Sequence, residues 1–131
     1  IRAIFIMAKC DEGYLCEVCG KDVAEIIDSD LYLRYVIGML DPEVLHTTGE
    51  RHIRCNPALA QYIIADGFEP VVVSGAFDKR TLDADFVRAR ETLVSRGWKR
   101  LRETSGQEIP ILDYPLPEVV AKIQARSMGR S

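Results

Sequence analysis

The stretch GYLCEVCGK, residues 13–21, places two cysteines three positions apart and follows the second with a glycine. Thiolates at this spacing, here Cys16 and Cys19, can both face one metal ion. Gly20 can adopt the positive φ that a turn around a metal requires, and the backbone N–H groups of such a turn point towards the sulfur atoms. The stretch therefore predicts a zinc knuckle.

A second pair of potential ligands occurs in ERHIRCNPALAQYI, residues 50–63, which contains His52 and Cys55. Asn56 is a favourable N-cap residue and Pro57 a favourable first helical residue, so we expect a helix to begin here and to end near Gly67. The dipole of that helix would favour a thiolate at Cys55.

A Cys-x-x-Cys knuckle, then an extended hairpin, then a ligand pair at a helix start resembles the treble-clef class of zinc fingers over residues 13–66. The resemblance implies a structural Zn²⁺ bound by Cys16 and Cys19 in the knuckle and by His52 and Cys55 beside the helix. The 32 residues from 20 to 51 are long for a minimal finger, so the fourth ligand stays open.

Two other residues compete with His52 for the fourth position. Cys10 lies six residues before Cys16 and would give a four-cysteine site, whereas His46 lies in the sequence LHTTG of residues 45–49. We prefer His52 because His52 and Cys55 lie together at the start of the predicted helix, where the treble-clef resemblance implies the second ligand pair. Each of these residues also fits an ordinary buried cysteine or a hydrogen-bonded core histidine.

Other uses of the cysteines are less favoured by the pattern. A redox Cys-x-x-Cys should open a helix, but no helical periodicity begins at Cys16. The four thiolates needed for an iron–sulfur cluster are present, although their spacing does not match ferredoxins. A catalytic zinc would leave one coordination position open beside an acid or base, for which Glu17 and Glu50 are close in sequence.

Composition limits the class of protein. The 131 residues are 47% hydrophobic and 28% charged with a net charge of −3, which is ordinary for a globular protein and gives no general attraction to nucleic acid or anionic lipid.

We expect a zinc-binding module over residues 1–67 and an α+β half over residues 68–131, packed as one unit. No segment resembles a membrane span or a signal peptide, and the apolar residues 1–8 predict a buried strand, so a reducing cytoplasm is the default expectation.

The remaining pattern predicts an α+β fold. We expect a strand over residues 31–38, with a helix begun by Ser29 or Asp30 as the alternative. The other expected elements are a strand at 70–73, a helix capped by Asp83 and ended by Gly97, a hairpin of residues 98–102 and 108–114, and a final helix from Pro117 with Val119, Val120 and Ile123 inward.

A strand at residues 98–102 would place Trp98, Arg100 and Arg102 on one face, where a base could stack and its phosphate could be bound. Packing of Trp98 against the preceding helix is the favoured alternative. The sequence thus predicts a structural-zinc protein that acts as a binding or adaptor module for a macromolecular partner and has no catalytic residues of its own. The alternatives are a nucleic-acid-binding domain and a zinc-dependent hydrolase.

Overall fold

The computed structural model describes residues 15–129, which form a helical fold. The α-helices are α1 (Asp30–Val36), α2 (Pro57–Ala60), α3 (Ala84–Thr104) and α4 (Pro117–Gly129). Short 3₁₀ turns at Ile26–Asp28, Pro42–Val44, Ile53–Cys55, Lys79–Thr81 and Ile111–Asp113 lie between or before them.

The predicted α+β architecture is wrong. Between residues 15 and 129 the only β-type pairings are two isolated antiparallel bridges, Leu15 with Asp22 and Ser29 with His52. The hairpin expected between the ligand pairs from the treble-clef resemblance is replaced by 3₁₀ turns and α1. The predicted strand over residues 1–8 lies outside the described residues.

Helix α1 occupies the segment that was predicted to be a strand, and the alternative of a helix begun by Ser29 is the observed one. The hydroxyl oxygen of Ser29 accepts a hydrogen bond from the N–H of Tyr32 and so caps the helix. The helix is buried on nearly every side, with Leu33, Tyr35 and Val36 fully enclosed. A helix buried on nearly every side shows little contrast between an apolar and a polar face, so the β-branched and aromatic residues of this segment resemble a buried strand.

Helix α3 begins where it was predicted, with the Asp83 carboxylate accepting the N–H of Phe86, but it continues through Gly97 to Thr104. Gly97 is not a stop signal, because it lies where α3 packs against α1. A Cβ atom at this position would overlap Cγ2 of Ile37 and lie 3.2 Å from Cδ1 of Leu33. The glycine is required for the close approach of the two helices, and residues 98–102 are therefore helical rather than half of a hairpin.

Two further predicted strands are also wrong: residues 70–73 are irregular, and residues 108–114 contain a 3₁₀ turn. The helix beginning at Pro117 is confirmed. Helix α2 begins at Pro57 as predicted, but the prediction that it continues to near Gly67 is wrong, because it ends at Ala60. In α4, Val119 is buried, and Val120 and Ile123 are half-buried, as predicted.

The hydrophobic core surrounds α1. It combines residues of α1, of the 53–63 segment, of the second half of α3 and of the start of α4, including Val36, Ile63, Val94, Leu101 and Leu116. The N–H of Leu116 donates to the carbonyl of Val36 at 3.0 Å, which joins the entry of α4 to the end of α1. Of the helices within residues 15–129, none combines the length and apolar character needed to cross a bilayer.

We expect Gly97→Ala to lower the free energy of unfolding by about 1–2 kcal/mol. Overpacking costs roughly 1–3 kcal/mol, and the better helix propensity of alanine offsets up to about 1 kcal/mol of it. Ile37 is β-branched and its χ1 rotation is restricted, so its Cγ2 methyl cannot easily turn away from an added Cβ atom. Chemical denaturation measures the change.

Lys99→Ala, at an exposed position on the same helix, is the control and should change stability by no more than about 0.5 kcal/mol. A Gly97→Ala variant as stable as the wild type would show that the α1–α3 contact is looser than described.

Candidate metal centre

The first part of the candidate site is a tight turn that contains Cys16 and Cys19. The N–H of Cys16 donates to the carbonyl of Lys21 at 2.8 Å, and the N–H of Gly20 donates to the carbonyl of Cys16 at 2.8 Å. Gly20 has a φ of 78°, the left-handed conformation predicted for it from the sequence. The antiparallel bridge between Leu15 and Asp22 closes the turn and holds the two cysteines at its tip.

Three backbone N–H groups point at the sulfur of Cys16, which is only 2% exposed. They belong to Val18 at 3.4 Å, Cys19 at 3.5 Å and His52 at 3.5 Å. Burial by itself would raise the pKa of this thiol, but the hydrogen bonds favour the thiolate and lower its pKa to about 6. The turn is therefore arranged for an anionic sulfur.

The second part of the site is the 3₁₀ turn Ile53–Cys55, whose first hydrogen bond runs from the N–H of Cys55 to the carbonyl of His52 at 2.9 Å. This tight turn brings the side chains of His52 and Cys55 to the same side. The backbone of His52 also forms the bridge with Ser29, directly before α1.

The four side chains Cys16, Cys19, His52 and Cys55 converge, with their donor atoms all within 4.8 Å of one another. Nδ1 of His52 lies 3.4 Å from Sγ of Cys19 and 3.8 Å from Sγ of Cys55. Around a tetrahedral zinc, with bonds of about 2.3 Å to sulfur and about 2.0–2.1 Å to nitrogen, a sulfur and a nitrogen lie about 3.6 Å apart. The group could hold a metal ion with little rearrangement.

The orientation of the His52 imidazole is fixed by a hydrogen bond on the side of the ring away from the sulfur atoms. Nε2 of His52 lies 2.9 Å from the carbonyl oxygen of Asp22, so it carries the proton and donates it to that oxygen. Nδ1 then presents its lone pair to the sulfur atoms, as a metal ligand must. Burial lowers the pKa of His52, but the Asp22 carbonyl and the neighbouring sulfur atoms outweigh it and raise the pKa overall.

The pKa of the Cys55 thiol is raised, although the dipole of a following helix was predicted to favour the thiolate. Burial raises its pKa to about 11, together with hydrogen bonding and negative charge from Cys16 and Cys19. Helix α2 has only four residues, and Cys55 lies in the turn before it, so a dipole has little effect there. Three neighbouring sulfur atoms cannot all ionise unless a cation compensates their charge.

Of the two alternative fourth ligands, the structure describes only His46. His46 is exposed and is not among the converging donors. Cys10 lies outside the described residues. Cys16, Cys19 and Cys55 are all free thiols rather than partners in a disulfide.

Glu50 is a buried acid that is engaged in hydrogen bonds through both its carboxylate and its backbone carbonyl. Glu50 is 5% exposed, and its carboxylate accepts from the hydroxyl of Ser29 at 2.8 Å and from the N–H groups of Leu31 at 3.2 Å and Arg51 at 2.9 Å. Its carbonyl accepts the N–H of Glu17 at 2.8 Å, so Glu50 joins the knuckle to the start of α1. Burial raises the pKa of Glu50, and its contacts identify it as a structural brace.

Asp30, which was not predicted to contribute to the site, is a carboxylate with 0% exposure beside the second ligand pair. Oδ2 accepts from Nε of Arg34 at 2.8 Å and from Nε of Arg51 at 2.9 Å, and Oδ1 accepts from Nδ2 of Asn56 at 2.9 Å. The spacing of Asp30 and Arg34 was the only local signal, since i,i+4 pairs of opposite charge meet on a helix. The other two partners are brought in by the tertiary fold.

The candidate nucleic-acid residues do not form a common face. Trp98 is 5% exposed and packs edge-on against Phe68, with ring centroids 5.3 Å apart, while the guanidinium of Arg102 lies 5.0 Å from its ring centroid. Arg100 donates instead to the carbonyls of Tyr114 and Asp113 at 2.8 and 2.9 Å. The indole therefore offers little surface on which a base could stack.

Comparison of the chain with protein families, with curated proteins and with solved structures finds no match. The function must therefore be argued from the site.

We expect His52→Ala to lower zinc affinity by more than the roughly 10–100-fold that is typical when a residue outside the coordination sphere is lost. The reason is that Nδ1 of His52 is the only nitrogen among the converging donors. Competition with a chromophoric chelator measures the affinity.

His46→Ala is the matched control, because it removes an exposed imidazole from the same segment and should leave zinc affinity unchanged. A loss of affinity in His46→Ala but not in His52→Ala would assign the nitrogen ligand to His46.

Proposed function

We propose that this chain is a helical structural-zinc protein that binds one Zn²⁺ through the sulfurs of Cys16, Cys19 and Cys55 and through Nδ1 of His52. The observation that carries the proposal is the convergence of four donor atoms, from stretches 33 positions apart, within 4.8 Å. A cation explains this convergence, because neighbouring thiolates repel one another unless positive charge lies among them.

The chemistry of the donors supports zinc over other metals. Three thiolates and one imidazole are soft to borderline ligands, which favour zinc, whereas magnesium and calcium require oxygen. A four-thiolate iron–sulfur site would need a further cysteine in place of His52. The Asp22 carbonyl behind His52 is the kind of outer contact that fixes a zinc-bound imidazole.

The number of donors supports a structural role. Catalytic zinc sites usually have three protein ligands and an open position for water, whereas four protein ligands complete a tetrahedron. The carboxylate of Glu50, which could otherwise act as a general base, is held by Ser29, Leu31 and Arg51. These contacts do not favour a zinc hydrolase.

A bound zinc ion would cross-link the two ligand pairs, Cys16 with Cys19 and His52 with Cys55. The knuckle is otherwise joined to the second ligand segment by hydrogen bonds, among them those from the N–H of Glu17 to the carbonyl of Glu50 and from Nε2 of His52 to the carbonyl of Asp22. Because the metal binds the folded site and not the unfolded chain, its binding energy contributes directly to the free energy of folding.

The molecular role that we propose is a binding or adaptor module with a macromolecular partner. Several large apolar side chains are exposed, among them Val72, Phe77 and Phe86, and a macromolecular partner would cover apolar surface of this kind. The net charge of −3 and the buried Trp98 give no support to a nucleic-acid partner.

Metal analysis of the purified chain should find one zinc per molecule, and a strong chelator should lower its melting temperature substantially. Cys19→Ser should lose the metal and show the low stability of the chelated wild type. The reason is that zinc binding in small finger peptides contributes on the order of 10 kcal/mol. Elemental analysis and thermal unfolding measure the two quantities.

Cys10→Ser is the matched control for the four-cysteine alternative and should retain both zinc and stability. Unchanged stability after complete metal removal would contradict the structural role. Loss of zinc in Cys10→Ser would instead place Cys10 in the coordination sphere.

A further inference from the structure

The residues on either side of the His52–Cys55 ligand pair are both bound to one buried carboxylate. Arg51, directly before His52, donates through Nε to Oδ2 of Asp30 at 2.9 Å, and Asn56, directly after Cys55, donates through Nδ2 to Oδ1 at 2.9 Å. The N–H of Asp30 in turn donates to the carbonyl of Arg51 at 2.9 Å. The ligand turn is therefore fixed at both ends to the first turn of α1.

The side chain of Asn56 binds Asp30 and does not cap α2 as the sequence predicts. Its side chain makes no capping bond to α2, although it occupies the N-cap position. The amide is turned towards Asp30 instead. The contact therefore connects the ligand turn to α1 and is not needed to begin α2.

Asp30 has no exposed surface, so its carboxylate depends on these donors. A buried charge without partners is very costly, which makes the arrangement of Arg34, Arg51 and Asn56 around it highly constrained. Arg34 belongs to α1 itself, whereas Arg51 and Asn56 belong to the ligand segment. Asp30 is not among the converging donor atoms, so it can affect the metal only through the residues that it holds.

We propose that Asp30 is a positioning residue of the metal centre, which sets the geometry of the His52–Cys55 pair through Arg51 and Asn56 and so couples metal affinity to the core helix α1. This inference rests on the proposed zinc site. Coupling of this kind is reciprocal: docking of α1 strengthens metal binding, and metal binding strengthens the docking of α1.

The test compares variants of the full chain that remove different contacts of the same carboxylate. Asn56→Ala and Asp30→Asn weaken its hold on the ligand turn. Arg34→Gln removes only the contact within α1 and is the matched control. Zinc affinity is measured by chelator competition, and the absorption spectrum of the Co²⁺-substituted chain reports the coordination geometry.

We expect Asn56→Ala to lower zinc affinity about tenfold and Asp30→Asn to lower it further, within the roughly 10–100-fold range of outer contacts, and both to shift the Co²⁺ bands. Arg34→Gln should reduce stability while leaving zinc affinity and the Co²⁺ spectrum unchanged. If Asp30→Asn does not fold, the comparison of zinc affinity and Co²⁺ spectrum between Asn56→Ala and Arg34→Gln tests the inference.

Wild-type affinity and spectrum in Asn56→Ala would overturn the inference and leave the zinc site standing. An equal loss of affinity in Asn56→Ala and Arg34→Gln would also overturn it, since it would indicate general destabilisation. If the wild type binds neither Zn²⁺ nor Co²⁺, the proposed function itself fails.

Discussion

Three sulfur atoms and an imidazole nitrogen meet within 4.8 Å at the boundary between the knuckle and the helical core. Their closeness is the main constraint on this part of the molecule, because neighbouring thiolates repel unless a cation lies among them. The opposite pKa shifts of Cys16 and Cys55 express the same conflict: backbone N–H groups favour the first thiolate, whereas burial, together with hydrogen bonding to and charge from Cys16 and Cys19, disfavours the second. A divalent cation at this point would stabilise both thiolates.

Hydrogen bonds around the donors transmit that constraint to the core. The Asp22 carbonyl orients His52, and Glu50 joins the knuckle to Ser29. The carboxylate of Asp30 accepts hydrogen bonds from Arg51 and Asn56. Ser29 and Asp30 are the cap and the first residue of α1, the helix around which the apolar core is packed. The candidate metal centre and the core therefore share one polar boundary, and residues that touch no metal still belong to the description of the site.

Local chemistry was informative where a residue type has one dominant use. The turn after Cys19 needs a positive φ, and Gly20 supplies it; Asp83 and Pro117 mark helix starts that the structure contains. Two of the errors concern the contact between α1 and α3. Burial of α1 on nearly every side weakens its 3.6-residue period, so its segment was predicted to be a strand, and Gly97 was predicted to end a helix although it permits a close helix crossing.

The spacing of Cys16, Cys19, His52 and Cys55 predicted a metal site because ligand chemistry acts over a few residues and is written in short motifs. The helical architecture depended instead on which surfaces meet: Ile37 against Gly97, and Asp30 against Arg51 and Asn56. These contacts join residues that are distant in the chain, and their energies outweigh the intrinsic preference of each segment. No local pattern records such contacts, so the fold around the ligands could be known only from the folded chain.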